Sequence, residues 1–146
     1  MQSPAEEPNR AEKGILSYIL ENCVFAYDEL CQVNRDLING MSPSSAADVN
    51  HLGAMNRMIQ DYLIVRVAGL FDRTKGVVSL DKLFSGDAKY QAVKMNEVIQ
   101  YIIQQRNNFV AHTNKSHIQN NFPVTERICK SNVRVLLVNF QALVKN

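Results

Sequence analysis

Tyr62-Leu63-Ile64-Val65-Arg66-Val67-Ala68-Gly69-Leu70-Phe71 is the densest apolar run in the 146-residue chain, interrupted by one cation, Arg66. It is far shorter than the roughly 18 to 20 residues of a membrane span. Extended toward the N-terminus, it joins a stripe of Leu52, Met55, Ile59, Leu63, Val67 and Leu70, spaced at three and four as on a helix. Ile64, Val65, Ala68 and Phe71 give the same helix a second apolar side. A helix apolar on two sides is central in its fold or shared with a partner chain. Arg66 reads as lying inside the first stripe, with Arg73 two turns further on the same side.

Working outward, Leu16, Ile19, Leu20, Cys23, Tyr27, Leu30, Cys31 and Leu37 predict a helix from about Ala11 to Ile38. Asn39-Gly40 ends it as a left-handed C-cap would. Ser42-Pro43 restarts the chain, with serine as N-cap and proline first in the helix, and the central helix runs from about Ser44 to Asp72. Thr74 to Val78 reads as a loop, and Ser79 as the cap of a short helix, Leu80 to Phe84. Ser85-Gly86-Asp87 leads into a helix from about Ala88 to Asn114. Asn120-Asn121-Phe122-Pro123 breaks the chain before a last helix, about Thr125 to Val144, with Cys129, Val133, Leu136, Leu137, Phe140 and Leu143 inward. Met55, Met58 and Met95 read as core filler. No strand pattern or repeat is present. The predicted fold is all-α, an antiparallel up-and-down bundle of four long helices plus one short helix. Residues 1–10 read as a flexible tail and 11–146 as a single domain.

Apolar residues make up 46% of the chain and charged residues 21%, which is ordinary globular usage, and the net charge is +2. That balance excludes a strongly basic nucleic-acid coat protein and leaves room for a local basic site. Met1 to Arg10 lacks the basic-then-apolar order of a signal peptide. Cys23, Cys31 and Cys129 show no CxxC spacing and read as reduced thiols of a cytoplasmic protein. His112, His117 and Cys129 fit no zinc spacing. No phosphate-cradling glycine loop, HExxH or nucleophile elbow is present. Neither a metal, a cofactor nor a membrane is expected.

The chemistry concentrates in Ile102-Ile103-Gln104-Gln105-Arg106-Asn107-Asn108-Phe109-Val110-Ala111-His112. Met95, Ile99, Ile102, Ile103, Phe109 and Val110 share one broad helical face, and Arg106 falls near its centre. A guanidinium there is costly unless paired or wetted. Asp28, Glu29, Asp61 and Asp72 are the carboxylates on other helices that could pair with it.

Arg106-Asn107-Asn108-Phe109-Val110-Ala111-His112 resembles the Arg-x(4–6)-His signature of HEPN domains, including a polar residue directly after the arginine. Val67-Ala68-Gly69-Leu70-Phe71-Asp72-Arg73 looks like the abortive-infection branch of that family. The bundle resemblance covers about Ala11 to Val144; the motif covers seven residues. The resemblance implies a metal-independent endoribonuclease acting in defence or a toxin–antitoxin pair. RNA would be its substrate, an antitoxin or nucleotidyltransferase its neighbour, and a homodimer its form, with two Arg–His motifs meeting in a shared cleft. Arg106, Asn107 and His112 would be the catalytic residues. The other reading within the family is a non-catalytic interaction or nucleotide-binding module. One departure stands out. The branch carries an acidic residue shortly after the histidine, where this chain has His112-Thr113-Asn114-Lys115.

The residue types suit the task. Histidine exchanges protons near neutrality, its ordinary pKa being about 6.5. Arginine offers a permanently charged fork to phosphate oxygens. Lys115 and Arg73 are candidates for a phosphate-attracting patch around Arg106. On a regular helix, however, Arg106 and His112 sit about 120° apart and about 9 Å along the axis. They meet only through helix distortion, converging side chains or a second chain.

Overall fold

The computed structural model describes residues 6–38, 46–107 and 133–145. Regular structure among them is entirely helical: α1 (Glu6–Ile38), α2 (Ala46–Gly69), α3 (Leu80–Phe84), α4 (Ala88–Lys94), α5 (Glu97–Gln105) and α6 (Val133–Lys145). The apolar run is the C-terminal half of α2. Leu63, Val67 and Leu70 from one side and Ile64, Ala68 and Phe71 from the other are all buried. These residues are covered because α2 packs against α1 and α5, while α1 also packs against α6; Val65, expected on the second side, is 43% exposed. The central alternative of the sequence reading is therefore the one observed within this chain.

Leu16, Leu20, Cys23, Tyr27 and Leu30 of α1 meet this face, and Val133, Leu137, Phe140 and Val144 of α6 close the core. A buried polar ladder sets the register of α1 and α2. Asn56 Nδ2 donates to Asn34 Oδ1 at 3.0 Å, and Gln60 Nε2 donates to Asn56 Oδ1 at 2.6 Å. Each amide finds a partner, as buried polar groups require.

Several boundaries differ from expectation. Helix α1 starts at Glu6 rather than Ala11. Pro8 falls in its first turn, where a missing N–H costs no intrahelical partner. The expected helix Ala88 to Asn114 is broken at Met95-Asn96 into α4 and α5. Asn96 is the cause: its side chain N-caps α5 by accepting from Val98 N at 2.9 Å, and Glu97 follows in the first turn. Asparagine competes for backbone donors inside a helix and is favoured at this position. Gln100 Nε2 then caps α4 by donating to Lys94 O at 2.8 Å.

The break also turns Met95 out of the core, leaving it 67% exposed, and Met58 is 71% exposed, so neither fills the interior. Arg66 is exposed as well, its guanidinium lying 5.9 Å from the centre of the Tyr62 ring. The inward placement inferred from its stripe is thus corrected. Long side chains at the edge of a stripe reach solvent. Among the described residues no helix is long and apolar enough to cross a membrane. Cys129 and most of the last expected helix before Val133 lie outside the described residues.

Candidate functional site

The site forms where α2 ends. Amides of Leu70, Phe71 and Asp72 bond to the carbonyls three residues back, at 3.1, 3.1 and 3.2 Å, tightening the last turn. The Leu70 carbonyl then accepts from Leu80 N at 2.7 Å and Asp81 N at 3.4 Å, so α3 begins against the end of α2. Ser79 caps α3 by accepting from Lys82 N at 3.3 Å. The intervening turn needs a left-handed residue, and Gly76 supplies it with φ of 85°. Lys82 Nζ closes the loop by donating to the carbonyls of Thr74 and Val77.

This arrangement buries Asp81, which is 1% exposed. Its Oδ1 accepts from Tyr90 Oη and from Lys94 Nζ, each at 2.6 Å. Tyr90 and Lys94 are four residues apart on α4 and so share a face. Arg73 Nε lies 3.1 Å from the other oxygen, Oδ2, which accepts no aligned hydrogen bond. Burial pushes the carboxyl up, but the donors Lys94 and Tyr90 and the charges of Lys94 and Arg73 outweigh it and hold Asp81 below the ordinary carboxylate range. Burial, the hydrogen bond to Asp81 and its charge all raise the Tyr90 phenol, which stays protonated. The Tyr90 ring is held among Phe71, Phe84 and Phe140 at centroid distances of 6.3, 6.4 and 6.2 Å.

On the other side of α2's end stands Arg106, immediately after α5. Arg106 is the C-cap of α5 in right-handed helical conformation, and its N–H is shared between the carbonyls of Ile102 and Ile103. The guanidinium grips Asn107 Oδ1 through Nε and Nη2, both at 3.2 Å. Its Nη1 lies 3.9 Å from Asp72 Oδ2, with the arginine side chain 24% exposed. Of the four carboxylates weighed from the sequence, Asp72 is thus the partner. Asp72 also accepts from Thr74 N at 2.8 Å and Thr74 Oγ1 at 2.6 Å. Those hydrogen bonds, with lesser contributions from the charges of Arg106 and Lys82, hold its carboxyl below the usual range against slight desolvation.

The fold therefore gathers Arg73, Lys82, Lys94 and Arg106 around Asp72 and Asp81, an excess of two positive charges. Of the site residues expected from the sequence, Arg106 contacts Asn107 and faces Asp72, and Arg73 pairs with Asp81; His112 and Lys115 lie outside the described residues. Asp81, Tyr90 and Lys94 were not anticipated. A hydroxyl and an ammonium at i and i+4 of one helix, aimed at a helix-capping segment, were the available signal. Among the described residues no cluster of three or more His, Cys, Asp or Glu could hold a metal ion.

Comparison with known proteins finds no matching family model, no matching curated protein and no matching solved structure.

Proposed function

We propose that the protein is a metal-independent endoribonuclease of HEPN type, built on an antiparallel up-and-down helical bundle and working as a homodimer. One observation carries the reading most. Where the Arg–x(5)–His motif begins, at the end of α5, the Arg106 guanidinium is held by Asn107, faces Asp72 at the end of α2 and is 24% exposed.

In this reading His112 takes the proton of a ribose 2′-hydroxyl. The freed oxygen attacks the adjacent phosphorus, the P–O5′ bond breaks, and the products are a 2′,3′-cyclic phosphate and a 5′-hydroxyl. A histidine from a second copy protonates the leaving oxygen. Arg106, oriented by Asn107, stabilises the charge on the phosphoryl oxygens, and Arg73 and Lys115 attract the strand. Cytoplasmic action in defence, beside an antitoxin or nucleotidyltransferase, belongs to the same proposal.

The test is cleavage of structured RNA in EDTA by wild type, Arg106→Ala and His112→Ala. Activity that persists in EDTA, leaves cyclic phosphate ends and falls by roughly 10²- to 10⁴-fold in His112→Ala supports the enzyme. No cleavage of any RNA by wild type overturns it. A monomer at micromolar concentration overturns the two-chain site. The second reading, a non-catalytic HEPN-like interaction or nucleotide-binding module, is favoured by the Arg106–Asp72 pair, which engages the arginine within the chain.

A further inference from the structure

A buried aspartate with a tyrosine and a lysine on one oxygen would suffice to clip α3 to α4. Arg73 adds something the clip does not need. Lys94 already balances the charge of Asp81 at 2.6 Å, so Arg73 keeps its full charge toward solvent. Its side chain is 71% exposed, and it meets Asp81 through Nε, at 3.1 Å. The two terminal nitrogens of a guanidinium form the fork that grips phosphate oxygens. An exposed arginine ordinarily samples many rotamers, and pairing Nε with a 1% exposed carboxylate, though without an aligned hydrogen bond, restricts that freedom. Arg106 differs: its contact with Asp72 is through the terminal Nη1, at 3.9 Å.

We propose that Asp81 is a positioning residue that fixes Arg73 as a second phosphate-gripping arginine, in addition to Arg106, for one RNA strand. The choice of RNA rests on the ribonuclease reading, but the experiment reads binding and not cleavage. The ligand is a short single-stranded RNA with 2′-O-methyl groups, which cannot be cut by 2′-hydroxyl attack. Its affinity is followed by fluorescence anisotropy across a salt series.

Arg73→Gln is expected to weaken binding about tenfold and to reduce the salt slope by about one. Arg73→Lys keeps the charge without the anchored fork and should recover only part of the loss. Asp81→Asn, shown folded by circular dichroism, should weaken binding as Arg73→Gln does, and the double variant no further. The proposal is overturned if wild type does not bind the oligonucleotide, or if Arg73→Gln binds as wild type does. Full affinity in Arg73→Lys overturns the anchored fork, and it decides the matter if Asp81→Asn does not fold. A folded Asp81→Asn with a lowered melting temperature and unchanged affinity makes Asp81 a structural clip only. Arginine-dependent binding without any cleavage of ordinary RNA would leave this inference standing and remove the ribonuclease.

Discussion

Arg106 Nη1 stands 3.9 Å from Asp72 Oδ2, joining the end of α5 to the end of α2. The same aspartate is held by the amide and hydroxyl of Thr74, so the carboxylate is fixed before the arginine reaches it. Arg106 is tethered and still partly open to solvent, which suits either a core ion pair or a phosphate-binding group.

Asp72→Asn distinguishes those roles. Partly exposed ion pairs contribute about 0.2–1 kcal/mol, so the variant should lose no more than that in urea unfolding. If the tether positions Arg106 for chemistry, cleavage of RNA should fall about tenfold at unchanged fold, since about 1.4 kcal/mol of lost transition-state stabilisation has that effect. Unchanged cleavage would separate Arg106's function from Asp72.

Acid stability should report the carboxylates. Asp81 and Asp72 have folded-state pKa values below their ordinary ones. Their contribution is therefore complete above the unfolded carboxylate pKa of about 3.9 and is lost as pH falls through the folded values. Melting temperature should be flat from pH 7 to about 5 and drop below about 4. Asp81→Asn should start lower and show a shallower acid slope.

Tyr90→Phe keeps the ring among Phe71, Phe84 and Phe140 and removes only the hydroxyl that donates to Asp81. A buried charge losing one of its donors should cost about 1–3 kcal/mol in denaturant unfolding. Phe140→Ala, which empties a fully buried position in the same cluster, should cost more, about 3–5 kcal/mol. A reversed order would mean that the hydroxyl network outweighs the aromatic packing.

Asn96→Ala removes the cap of α5. A loss of about 1 kcal/mol is expected from chemical denaturation. No loss, with helix signal rising in circular dichroism, would show that α4 and α5 can fuse into the single helix anticipated from the sequence.

Thiol labelling checks the burial of Cys23, whose thiol is pushed up to about 12 by burial, offset in part by the charge of Arg66. At pH 8, in a Cys129→Ser background, an alkylating reagent followed by mass spectrometry should modify the partly exposed Cys31 well before the buried Cys23. Equal rates would contradict the packing of α1 against α2.

Periodicity alone determined the all-helical class, the two-sided apolar surface of α2 and the short capped helix from Leu80 to Phe84. These follow from local physics: a 3.6-residue period, and serine as an N-cap. It also singled out Arg106 as a charge needing a partner. Tertiary structure decided which partner, because four carboxylates were compatible with the sequence and only Asp72 is carried to the end of α5. Arg66 escapes the core and Met58 stays outside it because burial depends on where neighbouring helices lie, which a stripe does not encode. The break at Asn96 turns on a cap competing with helix continuation, a balance of about 1 kcal/mol that the pattern of Met95, Ile99 and Ile102 concealed. The clamp on Asp81 was the least legible feature. Its members, at positions 73, 81, 90 and 94, meet only because the Leu70 carbonyl docks α3 against the end of α2.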